Sequence, residues 1–192
     1  MSREAAAKKS VERALGMAAD FWVPADAVGG IRAVAAADVP AAFRELLDHR
    51  SHMTVSLERL HGTPLAVRVL AVRQDVPCGY SREILLIGPR GDVVLYGIVR
   101  IDLAAVNPTT AEEIRAAKTP LGRVLIDAGV LRDVRDVSLL EIVPGTRLTE
   151  LLGNAGGQRK SLGKTFGRVA AIDLDGRPAV ELLEIVAPQH GR

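Results

Sequence analysis

Apolar positions along this chain change period several times, and each change marks an element. From Glu4 to about Phe21 the residues Val11, Ala14, Leu15 and Ala18 recur at helical spacing, and Gly29-Gly30 then breaks the pattern. The spacing predicts an amphipathic helix within residues 1–25. A second helix is expected to begin at Asp38-Val39-Pro40, where Asp38 can cap and Pro40 suits the first turn. It should run through Phe43, Leu46 and Leu47 to about His49. The period then shortens to two. Met53 to Leu60 and Leu65 to Arg73 read as an antiparallel hairpin turned at His61-Gly62-Thr63-Pro64. Tyr80 to Ile87 and Asp92 to Leu103 read as another, joined by Gly88-Pro89-Arg90-Gly91. Asn107-Pro108 opens a helix through Ile114, and Pro120 opens a short one ending near Gly129. Val134 to Val143 alternates again. Gly167 to Leu174 and Pro178 to Ala187 form a last hairpin turned at Asp175-Gly176. Because hairpins dominate, the expectation is one α+β domain spanning residues 1–192, with a single antiparallel sheet of about six strands and helices packed on one face.

Composition narrows the possible roles. Aromatic residues make up 3% of the chain, so Val, Ile, Leu and Ala must fill the core. The net charge of +2, from 25 basic and 23 acidic residues, gives no basic field, and nucleic acid is not an expected partner. The N-terminus lacks the apolar stretch of a signal peptide, and the apolar runs are of strand length. A cytoplasmic location without membrane contact is the resulting expectation. Cys78 stands alone, which excludes an intrachain disulfide and a thiolate metal cluster. His49 and His52 are three apart but have no evident third ligand, so no metal is expected. Gly163-Lys164-Thr165 suggests a phosphate loop, yet its first glycine would fall at Gln158 and a strand follows Thr165. The stretch from Gly153 to Gly163 reads instead as a surface loop or lid.

Two charges on apolar strand faces are the candidate chemistry. Arg82 alternates onto the face of Ile84 and Leu86, and Glu184 onto that of Leu182 and Val186. Such a charge costs several kcal/mol unless it is paired or bound to a ligand. Periodicity leaves open an edge strand, a solvated face, a structural ion pair and a ligand site.

Four segments in order, Ser51-His52-Met53-Thr54, Ser81-Arg82-Glu83-Ile84-Leu85-Leu86, Lys118-Thr119-Pro120-Leu121-Gly122-Arg123 and Glu184-Ile185-Val186-Ala187-Pro188, resemble the chorismate pyruvate-lyase family. The resemblance covers residues from about Leu46 to Pro188. It implies one antiparallel sheet flanked by helices and cleavage of chorismate to 4-hydroxybenzoate and pyruvate in a buried pocket, with no cofactor. It also implies that Arg82 anchors a carboxylate and Glu184 shuttles a proton, with Met53, Leu121 and Gly122 lining the pocket. A planar guanidinium grips a carboxylate bidentately, which suits that role. Where the family carries a second arginine after the glycine of the next strand, this chain has Ile98; Arg100, two residues on and on the same strand face, is one candidate replacement, and Arg123 or Lys118 from the helix are others. The alternatives are an aromatic-acid sensor without catalysis, since a related fold serves as the effector domain of some transcription regulators, and a lyase acting on a related enolpyruvyl or aromatic acid. Either way the expected partner is a small molecule, and the oligomeric state is left open.

Overall fold

A computed structural model describes residues 2–22, 28–77, 79–153 and 163–188. Seven strands form one sheet: β1 (Gly29–Ala33), β2 (Ala66–Arg73), β3 (Ser81–Ile87), β4 (Val93–Ile101), β5 (Arg132–Pro144), β6 (Thr165–Leu174) and β7 (Arg177–Val186). Their order is β1-β5-β6-β7-β4-β3-β2, and every neighbouring pair is antiparallel. Six α-helices accompany them among the described residues: α1 (Arg3–Ala18), α2 (Ala41–Leu47), α3 (Met53–His61), α4 (Pro108–Ala116), α5 (Leu121–Asp127) and α6 (Thr146–Gly153). The α+β class and the single antiparallel sheet are as the sequence predicts. No helix among the described residues is long and apolar enough to cross a membrane.

Three details differ from the sequence reading. Met53 to Leu60 is helical, not the first strand of a hairpin. Met53, Val55 and Leu57 alternate, but Met53 and Leu57 are also one helical turn apart, and these two are the ones buried, with Thr54 between them. Gly62 then ends α3 in the left-handed conformation at φ 68°. The second detail is β1, placed where Gly29-Gly30 reads as a break. A Cβ on Gly29 would lie 2.0 Å from the Val143 carbonyl oxygen, so the missing side chain is what lets this strand close on β5.

The third is that helices cover both faces of the sheet. On one face α1 and α6 pack over Leu85, Tyr96, Ile98, Leu183 and Ile185. On the other, α2 and α3 pack over Ile84, Leu86, Leu95 and Val186, while α4 and α5 pack over Val99, Ile172 and Leu182. Strands β3, β4 and β7 are apolar at odd and even positions alike, so neither face can be left to water. The loop or lid expected at Gly153 to Gly163 falls mainly on residues 154–162, which lie outside the described residues, as does Cys78.

Candidate functional site

Strand register places the site. Across one face of the sheet Ile84, Gly97, Glu184 and Arg168 stand side by side on β3, β4, β7 and β6, and the next row holds Arg82, Val99, Leu182 and Ala170. Gly97 leaves a gap in the first row, and a pocket opens above it. Its roof is the start of α3, from Ser51 to Thr54, together with the start of α5, from Pro120 to Gly122. A Cβ at Gly122 would stand 3.2 Å from His52 Nδ1 and from Thr54 Oγ1, so the two helix starts close together only because this residue is glycine. Arg123 on α5 pairs with Glu58 on α3 and fastens them. The enclosed free volume is about 40 Å³, room for a few water molecules.

Arg82 is fully buried. Its Nη1 donates to the Ile114 carbonyl at 3.4 Å, while Nε and Nη2 have no hydrogen-bond partner among the described residues. Burial pulls its pKa below the ordinary guanidinium value, opposed by the neighbouring Tyr80. An arginine nevertheless keeps its proton in proteins, so the group is a desolvated cation with donors to spare. Each buried donor left unpaired costs about 1–3 kcal/mol, and a bound oxyanion would recover that cost at two donors together.

Arg168, equally buried, is spent differently. Its Nε donates to Glu184 Oε2 at 2.7 Å. Nη1 donates to the carbonyls of His49 at 2.8 Å and Leu47 at 3.3 Å, and Nη2 to that of Ser51 at 3.3 Å. This one side chain therefore ties β6 and β7 to the loop that leads into α3. The sequence reading passed over it, although the signal was present: Arg168 shares its face with Phe166 and Ala170, the same alternation that singled out Arg82.

Two histidines stand close to the pocket, and of these His52 lines it. His49 Nδ1 accepts from the Ser51 N–H at 3.1 Å, so the neutral ring carries its proton on Nε2 and donates it to Ser56 Oγ at 3.0 Å. In that tautomer it is no base for Ser56. Burial first, and the Arg168 charge second, lower its pKa. His52 is lowered further, to about 4, by burial and then by Arg132 and Arg168. It is uncharged at neutral pH, and its Nε2 is buried without a partner among the described residues.

Of the residues expected at the site, the structure brings Arg82, Met53, Leu121, Gly122 and Glu184 to this one pocket. Arg100 is not there, and that expectation is corrected. It alternates with Tyr96 and Ile98, whereas the pocket takes Leu95, Gly97 and Val99, so Arg100 points through the opposite face. There it donates to Asp20 at 2.6 and 2.7 Å and to the Gly16 carbonyl at 2.7 Å, holding the end of α1. Ile98 is fully buried in that same opposite core, so position 98 does not reach the pocket either. The second cation lining the pocket is Arg168.

Fold and site together define an α+β sheet protein with a buried, net cationic pocket under a two-helix roof. No family model and no curated protein matches the sequence. Among solved structures the chain is similar to a Streptomyces coelicolor protein assigned as a transcriptional regulator, at 17% identity and TM-score 0.49, over 67% of this chain and 89% of that one. It is similar to the ligand-binding domain of a Bordetella bronchiseptica protein assigned as a GntR-family transcriptional regulator, at 16% identity and TM-score 0.44, over 66% and 84%. A Bacillus subtilis protein assigned as a transcriptional regulator matches at 10% identity and TM-score 0.46 over 69% of this chain, which spans 61% of that one.

Proposed function

We propose that this protein binds a small aromatic or enolpyruvyl acid without transforming it, the carboxylate resting on Arg82 in the pocket while the rest of the ligand lifts the two-helix roof or extends past His52. The observation that carries this reading is Arg82: fully buried, lining a net cationic cavity, with Nε and Nη2 unpaired among the described residues. A carboxylate offers two oxygens at the spacing of two guanidinium nitrogens and would satisfy both at once. Glu184 supports binding over catalysis, because its carboxylate is engaged by Arg168 at 2.7 Å. One of its two oxygens is thereby committed to holding β6 and β7 together.

Calorimetric titration with benzoate and 4-hydroxybenzoate, using benzyl alcohol as the neutral control, tests the reading. Saturable binding of the acids is expected, with none of the alcohol. Loss of one charged contact corresponds to roughly 10- to 100-fold in affinity, so Arg82→Met should weaken the acids by that much. Equal binding of the alcohol, or binding indifferent to Arg82→Met, would sink it.

A second reading keeps the pocket and makes it a lyase acting on chorismate or a related enolpyruvyl acid, with Arg82 as anchor and Glu184 as acid and base. It is favoured by Glu184 lining the same pocket as Arg82, Met53 and Leu121. Incubation with chorismate separates the two. Release of 4-hydroxybenzoate and pyruvate above the uncatalysed rate would replace the binding reading with catalysis.

A further inference from the structure

We propose that the groove immediately outside His52 is a second anion subsite, continuous with the pocket, which takes the distal negative group of an extended ligand whose first carboxylate rests on Arg82. This inference builds on the binding function proposed above and adds the shape and charge of the ligand.

The groove and the pocket share Ser51, His52 and Val134, so His52 stands in the wall between them. Their sizes differ greatly: about 40 Å³ is free inside and about 520 Å³ outside. A ligand larger than a few atoms that keeps its head on Arg82 must therefore either displace the roof or extend past His52. The groove offers two cations, Arg50 and Arg132, and no acidic side chain lines it among the described residues. Arg132 donates from Nη1 to the Val130 carbonyl at 3.2 Å, and neither arginine has an ion pair among the described residues. Elsewhere on this protein arginines do find carboxylates, as Arg32 does with Glu141, Arg73 with Asp75 and Arg147 with Glu83. The groove walls are apolar, with Val55 and Leu131 among them, and Leu131 is 72% exposed. A hydrocarbon or aromatic spacer would cover that surface.

The titration of His52 fits the same picture. Arg132 from outside and Arg168 from inside both depress its pKa, so a positive potential spans the wall. His52 itself is uncharged at neutral pH and so does not repel an anion on the apolar side of that wall.

The test compares benzoate with terephthalate and the longer 4-carboxycinnamate, each titrated against the wild-type chain and the double variant Arg50→Gln/Arg132→Gln. Two partly exposed ion pairs are together worth a gain of about fivefold. The longer dicarboxylate should therefore bind about fivefold more tightly than benzoate, and the double variant should abolish the gain while leaving benzoate affinity where it was. No gain in the wild type, or a gain that survives in the double variant, overturns the groove subsite. If benzoate binds in an Arg82-dependent way and only the gain is missing, the pocket reading stands and the groove alone is refuted. If benzoate itself does not bind, both readings fall.

Discussion

Arg82 and Glu83 are neighbours on β3, both fully buried, and they point to opposite faces of the sheet. Glu83 is completely served. It accepts from Trp22 Nε1 at 2.6 Å, Tyr96 Oη at 3.1 Å and Arg147 Nη2 at 3.1 Å, and the Arg147 guanidinium lies 5.3 Å above the Trp22 ring. Arg82 faces a cavity with two donors idle. The difference separates a charge that organises structure from one whose donors the fold leaves partly open: burial costs both, and Glu83 recovers more of that cost within the fold. On the Glu83 face the network joins the segment after α1 to β3, β4 and α6 in one packed layer. On the Arg82 face the layer stays incomplete.

The largest effect should come from the served face. Glu83→Leu strands the Trp22 N–H and the Tyr96 hydroxyl in the core, and the expected loss is about 3–5 kcal/mol of folding stability, read from the urea midpoint. A loss under about 1 kcal/mol would remove the contrast. A smaller effect belongs to His52. Its pKa is about 4 in the folded protein against an ordinary 6.5, so the unfolded chain takes up the proton first as pH falls. Stability should decline from about pH 6.5 downward and level off below about pH 4. Discounted for solvent screening, the amplitude is on the order of 1 kcal/mol. His49 shifts in the same direction, so the measurement compares wild type with His52→Gln, in which the decline should be shallower. Equal slopes would place His52 outside the desolvated wall. The smallest stability effect is the sharpest test: Arg82→Leu should change stability by less than about 1 kcal/mol in either direction, because it removes a desolvated cation along with few contacts, while benzoate affinity falls roughly 10- to 100-fold. A loss matching that of Glu83→Leu would make Arg82 a structural residue and leave the pocket without its anchor.

Much of the site was legible because strand alternation is a strict code. Arg82 and Glu184 each stood out as a charge in an apolar row, and both line the pocket. Arg168 was written in the same code on β6 and went unread, because nothing local says that its row faces that of Glu184. That fact comes from the β6–β7 register, which sets Arg168 directly beside Glu184. Arg100 shows the converse error. Nearness in sequence to the expected second arginine suggested a shared role, but the same alternation already placed it with Ile98 and away from Arg82.

Local chemistry by itself determined the hairpins β3–β4 and β6–β7, the starts of α4 and α5 at their prolines, and the α+β class, since turns, caps and period act over a few residues. Tertiary structure decided what depends on distant surfaces meeting. It made Met53 to His61 a helix, because only one turn of it is covered, and it admitted β1, because Gly29 lets two backbones close. It also settled which buried charges found partners. Glu83 met Trp22, Tyr96 and Arg147, Arg168 met Glu184 and the loop before α3, and Arg82 was left facing the cavity. Hydrogen bonds satisfy a charge across space, and one strand's pattern does not encode what the facing elements will offer it.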